Sequence, residues 1–403
     1  MSRVSTLVFR HFWATVALLG ALGEWTLACW FLGIPASWIV HPLGVAGLTV
    51  VNRLAAEAFE RERHSAPVLH TAGGVVLALG VIAAVGAAAL GVTAASWFVA
   101  TTLIAFPAEA GALEPPAGAI FAPPFALLGS LSIAAAMLVA TWGYTFGYRQ
   151  LRVTRLDVAT RELPPALDGL RIVHLSDIHL GPTADRAALR EAFDRVNALD
   201  PDLICVTGDL VDSPVVDLDH WLPELARLRA RHGVYAVLGN HDRYAGADRV
   251  AAALRAATPW RLLRDEVATL EIDGDRLHLV GLEDRPGPAT AVMLPSLLAS
   301  VPDGDARLVL VHQPSAFTTA ARLGVPLTLA GHTHGGQIAV PGLPFLNAAR
   351  LMMTRFDAGT FASGRSLLHV NRGLGTSGQR VRIGAPREVT LITLLAAGVA
   401  AAA

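Results

Sequence analysis

The chain has 403 residues, enough for two or three domains, and a formal net charge of −1, which gives no general electrostatic case for a nucleic-acid partner. Hydrophobic residues make up 53% of it and the mean hydropathy is +0.47, both high for a protein without membrane segments. Two cysteines, Cys29 and Cys205, exclude a disulfide framework, and every basic residue among the 32 is an arginine.

The apolar excess lies before residue 148. Residues 11–34 form a long apolar run broken by Glu24, and residues 38–51 form a shorter one. Residues 69–106 stay nearly uncharged for longer than one crossing requires, and residues 123–144 make the last run. A helix needs roughly 20 apolar residues to cross a bilayer. The pattern predicts about four spans in an anchor over 1–148, with the third open to division into two around 91–96. Several apolar runs follow the first, which argues against a cleavable signal peptide. Arg3 and Arg10 precede the first span, Arg53, Arg61 and Arg63 separate the second from the third, and Arg149, Arg152 and Arg155 follow the last. By the positive-inside rule this alternation puts both ends in the cytoplasm. Glu24 is the one acid well inside a span, read as a carboxyl hydrogen-bonded between helices. Trp25, Trp30 and Trp38 read as interface anchors.

Residues 149–167 read as a linker, and from Leu170 the texture changes to short apolar runs alternating with amphipathic stretches, the pattern of β-α-β units. Strands are expected at 171–176, 203–207, 234–238, 268–272, 276–281, 308–311, 327–330, 337–340, 367–371 and 389–394. Helices are expected at 185–199, 218–231, 247–257 and 315–323. Asp217 and Asp219 suit a helix start, His174 reads as core, and His220, His232, His278 and His369 lack a motif. The tail 396–403 is alanine-rich and carries no assigned role.

Five of these strands end in short polar motifs: Asp177-Ile178-His179, Gly208-Asp209-Leu210-Val211-Asp212, Gly239-Asn240-His241-Asp242, His312-Gln313-Pro314 and Gly331-His332-Thr333-His334. Ligands of α/β sheets bind outside the carboxyl ends of the strands, so these motifs converge if the strands are neighbours. In the last motif the two histidines are one residue apart, and alternate residues of an extended chain face the same way. The converging set is Asp177, His179, Asp209, Asn240, His312, His332 and His334. Carboxylate and amide oxygens mixed with imidazoles suit Mn, Fe or Zn better than Ca or Mg. Seven groups exceed one tetrahedral ion and suit two divalent ions sharing a carboxylate, an arrangement that serves phosphoryl displacement.

These ordered motifs resemble the signature of the calcineurin-like metallophosphoesterase superfamily, over residues 168–395. The extended forms His312-Gln313-Pro314, Gly331 through Gln337 and Asn371-Arg372-Gly373-Leu374-Gly375 are similar to its membrane-associated bacterial members, among them phosphodiesterases and UDP-2,3-diacylglucosamine hydrolases. The resemblance implies an α/β fold, a two-sheet α-β-β-α sandwich, here preceded by the transmembrane helical region. It implies Asp177, His179, Asp209 and His334 around one ion and Asp209, Asn240, His312 and His332 around the other, with metal-activated hydroxide as nucleophile. His241 would be the general acid, Asp212 would orient it by a hydrogen bond, and Asp242 would brace the loop. The implied activity is hydrolysis of a phosphodiester or pyrophosphate bond, with the bilayer and a phosphoester, plausibly lipid-linked, as partners. The alternative is a membrane sensor or transport protein with a regulatory phosphoesterase domain. Residues 342–361 hold a dense apolar cluster, which reads as core, as a groove for an acyl chain or as a surface resting on the bilayer.

Overall fold

The computed structural model describes residues 3–32, 34, 40–59, 67–105, 123–160, 163–214, 216–285 and 287–396. The chain divides into two units, Arg3–Thr145 and Phe146–Ala403 with Met1–Ser2.

The first unit consists of α1 (Arg3–Leu32), α2 (Val40–Phe59), α3 (Pro67–Ala105) and α4 (Pro123–Thr145). Among the described residues, three stretches are long and apolar enough to cross a membrane, in α1, α3 and α4. The second expected span falls in α2, which has 20 residues but carries Asn52, Arg53 and Glu57 in its second half and is not among these three. α3 is one continuous 39-residue helix through 91–96, with no hairpin there. At 1.5 Å per residue it is about 58 Å long, roughly twice the hydrocarbon thickness. Leu131, Leu138 and Val92 are more than half exposed, as lipid-facing side chains are. Polar groups within this apolar setting pair with one another. Asn52 of α2 donates to the Glu24 carboxylate of α1 at 3.0 Å, so Glu24 does serve as an interhelical tie. The Trp25 indole donates to His41 at 2.8 Å and that of Trp30 to Ser130 at 3.4 Å. Both tryptophans thus bond across helices, where the sequence suggested interface anchors; Trp38 lies outside the described residues. Gly23 lets α1 approach the α3 backbone at Ala84, because any Cβ there would overlap it.

In the second unit, two six-stranded sheets face each other. The first contains β1 (Leu151–Thr160), β2 (Arg171–Leu175), β3 (Leu203–Thr207), β4 (Val234–Val237), β5 (Arg261–Leu262) and β14 (Arg387–Ala396), in the order β1-β14-β2-β3-β4-β5. The second contains β6 (Glu266–Ile272), β7 (Asp275–Gly281), β8 (Ala306–Leu310), β9 (Leu327–Ala330), β12 (Gly359–Ser363) and β13 (Ser366–Val370), in the order β12-β13-β9-β8-β7-β6. A two-stranded ribbon, β10 (Ala339–Val340) with β11 (Leu343–Asn347), lies outside both. Strand side chains alternate between faces, and both sheets use both. Ile172, Cys205, Val237 and Ile392 of the first sheet meet Leu279, Leu308 and Leu329 of the second in the central core. On its other face, Val173, Leu175 and Val206 pack under α5 (Arg186–Ala198), α6 (Leu218–Leu225) and α7 (Asn240–Ala257). The second sheet is covered by α8 (Leu294–Leu298) and α9 (Phe317–Arg322), through Leu294, Leu298, Phe317 and Ala320. The result is an α-β-β-α sandwich.

Three local differences have physical causes. The expected linker 149–167 contains β1, which pairs in parallel with the full length of β14. Its apolar residues change faces, Leu151 and Val153 toward one core and Leu156 and Val158 toward the other. Neither face therefore reads as an apolar stripe. The helix expected at 218–231 stops at Leu225, where the N–H groups of Arg227 and Leu228 close tighter turns onto the carbonyls of Glu224 and Leu225. The helix expected to begin at 247 has an earlier segment, from Asn240, joined across Gly246 at φ 98°.

Candidate metal centre

The parallel strands β2, β3 and β4 are adjacent, as are β8 and β9 in the facing sheet. All five end on the same side, and the segments leaving them carry the seven candidate ligands. Five of the seven, Asp177, His179, Asp209, His332 and His334, have φ between 48° and 75°. A non-glycine residue in the left-handed region is uncommon and costs about 1–3 kcal/mol when the surroundings hold it in a sparsely populated conformation. Concentrated strain of this kind marks a functional site, not a fold requirement.

The side chains form two groups with one residue in common. In the first, the His179 and His334 Nε2 atoms face each other at 3.0 Å, with Asp177 Oδ1 3.4 Å from His334 Nε2 and 4.0 Å from His179 Nε2. In the second, His312 Nε2 lies 3.0 Å from Asn240 Oδ1 and 3.1 Å from His332 Nδ1. Asp209 Oδ2 lies 3.5 Å from His179 Nε2 and 3.3 Å from His312 Nε2, between the two groups. Asp177, His179, Asp209 and His312 are all buried.

The donor chemistry fits divalent cations. His179 donates its Nδ1–H to Asp212 Oδ1 at 3.0 Å, and His312 donates its Nδ1–H to the Thr207 carbonyl at 2.8 Å. Each bond ties Nδ1 and leaves Nε2 as the atom turned toward the cluster, as in metal-ligating histidines. The electrostatics set opposing fields. Burial alone would raise Asp209, yet His312 and His241 beside it hold it well below the ordinary carboxylate range. Burial would lower His312, but Asp209 and Asp177 bring it up to about 10. Burial and the neighbouring His312 push His332 down to about 3.

The remaining motif residues divide by role. His241, the second residue of α7, donates its backbone N–H to Asp209 Oδ1 at 2.8 Å. Gly239 before it must lack a Cβ, which would overlap the Asp209 carboxylate. Asp242 accepts from Gly239, Leu210 and Val211 N–H groups at 2.8, 3.2 and 3.0 Å, the loop brace expected of it. Burial, then Asp209 nearby, brings its carboxyl up to about 6. Asp212 meets the expected bond to His241 through its backbone, not its carboxylate. His241 Nδ1–H donates to the Asp212 backbone carbonyl at 2.7 Å, whereas the Asp212 carboxylate lies 3.6 Å away and takes the bond from His179. The imidazole of His179 is closer to that carboxylate because it enters from the adjacent β2 loop.

Three features have no role assigned to them by the sequence motifs. Arg382 is buried and donates to the carbonyls of Gly375, Ala385 and Arg372, with Nη2 3.4 Å from His334 Nδ1. An arginine two residues after Arg380, in a short run without a motif, carries no signal of this. The Gln337 amide clasps Ser377 at both backbone groups, at 3.1 and 2.6 Å, and sets the Ser377 hydroxyl 3.5 Å from His241 Nε2. A cavity of about 260 Å³ opens over the cluster, lined by Asp209, His241, His332, His334, Met352 and Met353 among others. α10 (Ala348–Met352) and the residue after it bring those methionines to the site. The apolar cluster of 342–361 had signalled them, without its location.

Residues 170–336 match the calcineurin-like phosphoesterase family. The metallophosphoesterase YkuE of Bacillus subtilis is 30% identical over 276 residues, covering 65% of this chain and 93% of that protein. The chain belongs to the calcineurin-like phosphoesterase family. A Bos taurus transmembrane protein with metallophosphoesterase domain is 32% identical over 286 residues, covering 68% of this chain and 63% of that protein. The UDP-2,3-diacylglucosamine pyrophosphatase LpxG of Chlamydia trachomatis is 28% identical over 324 residues, covering 65% and 95%. The match spans less than two thirds of the length of the Bos taurus protein and of a Campylobacter jejuni metallophosphoesterase, at 63% and 61%. As a calcineurin-like phosphoesterase, this is a hydrolase-family, metal-binding protein, and its N-terminal helices suit a membrane.

Proposed function

We propose that the chain is a membrane-anchored phosphoesterase that holds two divalent cations and hydrolyses a phosphodiester or pyrophosphate bond in a lipid-linked substrate. The observation that carries this reading is the position of Asp209 Oδ2, within 3.5 Å of a nitrogen in each donor group. Asp177, His179, Asp209 and His334 would hold one cation and Asp209, Asn240, His312 and His332 the other. The cations would be Mn, Fe or Zn, and when bound they would supply Lewis-acid charge and a water of lowered pKa. His241 presents Nε2 to the cavity with Nδ1–H held by the Asp212 carbonyl. It is thereby aimed to give a proton to the leaving oxygen. The His241 amide at the start of α7 keeps the Asp209 carboxylate in place.

The lipid assignment rests on the cavity wall. Ala348, Ala349, Met352 and Met353 line it opposite the histidines, so a substrate there has both an anionic and an apolar side to satisfy. The LpxG relatives are named as pyrophosphatases of a diacylated sugar nucleotide, a molecule with both. The domain would occupy the cytoplasmic side, with four crossings that include α2.

The test incubates detergent-purified, Mn-loaded protein with UDP-2,3-diacylglucosamine, phospholipids, bis-p-nitrophenyl phosphate and cyclic nucleotides. The expected result is a kcat/KM for a lipid pyrophosphate or lipid diester well above that for the soluble diesters. Faster hydrolysis of soluble diesters would remove the lipid assignment. Hydrolysis of none of them would favour the sensor reading.

A further inference from the structure

Most large apolar side chains of the phosphoesterase unit are buried, but a run of exposed ones lies in one short segment. Leu343, Phe345, Leu346, Leu351, Met352 and Met353 are 43%, 51%, 41%, 77%, 83% and 56% exposed. They belong to β11, α10 and the residue after it. Water offers nothing to hold such side chains outward, and a contiguous patch of this kind marks an interaction surface. The scaffold under it is braced. Asn347 caps α10, accepting from Arg350 N–H at 2.9 Å and donating to the Pro344 carbonyl at 2.8 Å. Thr333, between the two metal-loop histidines, donates its hydroxyl to the Asp357 carbonyl just beyond the segment. The outward side chains are therefore a fixed presentation.

Charge selects the occupant. Residues 343–356 contain Arg350 and Arg355 and no acid. With Arg322, these arginines line an adjoining surface cleft of about 700 Å³ whose lining has no carboxylate. Arg350 keeps one contact to Asp357 at 3.2 Å, and the Arg355 guanidinium lies 4.7 Å over the Phe356 ring. An apolar patch rimmed by arginines is the chemistry of an interfacial element on an anionic bilayer. The same chain carries helices apolar enough to cross one. Met352 and Met353 belong both to the exposed patch and to the wall of the metal-centre cavity.

We infer that residues 343–356 form a docking lip that seats the phosphoesterase domain on an anionic phospholipid surface, with the mouth of the cavity opening at the lipid headgroups. This deepens the lipid-substrate reading and rests on it. A lipid-linked phosphoester reaches the cluster along the two methionines, whose flexible thioethers accommodate varied chains.

The experiment uses the full chain with Cys29→Ala, keeping the buried Cys205. A single Leu351→Cys carries an environment-sensitive fluorophore, and Arg195→Cys on α5 provides the comparison probe. Both proteins are reconstituted into phosphatidylcholine vesicles with and without phosphatidylglycerol, containing shallow doxyl-labelled lipid as quencher. The expected result is several-fold stronger quenching at position 351 than at 195, reduced in the neutral vesicles and by Arg322→Gln with Arg355→Gln. Equal quenching at the two positions would overturn the proposal. So would a position-351 signal that depends on protein density and not on lipid, which would assign the face to a second copy of the chain. The probe reads without turnover. A quenched probe on a protein that hydrolyses no phosphoester would sink the enzymatic reading and leave the docking lip standing.

Discussion

His241 and Asp212 are where the structure changes what the motifs predict. If His241 protonates the leaving oxygen, its worth depends on how basic that oxygen is. General acid catalysis typically contributes about 100- to 10,000-fold. His241→Ala should therefore keep both metals, lose activity in that range on an alkyl phosphodiester, and lose far less on a p-nitrophenyl ester. Kinetics on the two substrates with elemental analysis checks this, and equal losses would place His241 in ground-state binding or ligation. Asp212→Asn should behave differently. Its carboxylate holds His179 Nδ1–H, so the amide should weaken metal binding by about 10- to 100-fold. The loss should be the same on both substrates and be restored by excess Mn. Normal metal affinity with a leaving-group-dependent loss would return the carboxylate to His241. The seven candidate ligands were legible because each lies within a few residues of the end of an apolar run that reads as a buried strand. Which oxygen of Asp212 meets which imidazole was not, since that depends on loop geometry at left-handed residues such as Asp177 and His179.

Among the elements, β2 and β13 contribute a pair of buried histidines with no part in the metal centre. His174 and His369 meet edge to face at 5.4 Å, each with Nε2 on a threonine hydroxyl and Nδ1 without a partner. Burial, then the neighbouring His369, pushes His174 well below the usual imidazole range; burial outweighs the opposing pull of Glu388 and, with a smaller push from Arg372, lowers His369. A histidine with a depressed folded pKa takes its proton first in the unfolded chain. Its stability contribution is complete above about pH 6.5 and is lost as pH falls below that, by up to about 1.4 kcal/mol per unit for each group. His369→Gln should make the loss of stability between pH 6 and 5 shallower by up to that amount, measured by urea unfolding in detergent at fixed Mn. An unchanged slope would mean that His369 is already charged in the fold. The sequence marked His174 as core but gave His369 no context, because its burial comes from its partners across the sheets. β1 was illegible for a related reason, its apolar residues being divided between two cores.

For the whole molecule, the change of texture near residue 148 announced two kinds of structure, and the described residues divide at Thr145. The crossing number was less legible, because α2 is long enough yet polar in its second half, and α3 exceeds one bilayer. The arginine pattern predicts that Arg63 and the phosphoesterase domain share the cytoplasmic side. In the Cys29→Ala background, cysteines at positions 63 and 195 should resist an impermeant thiol reagent on intact cells and label after lysis. Labelling of position 195 from outside would refute the four-crossing arrangement. The central claim is one carboxylate shared by two cations, and metal analysis of Asp209→Asn tests it most directly. The wild-type chain should hold two divalent ions, and the folded variant should lose both together with turnover. A variant that kept two ions per chain and a near-normal rate would contradict the shared site.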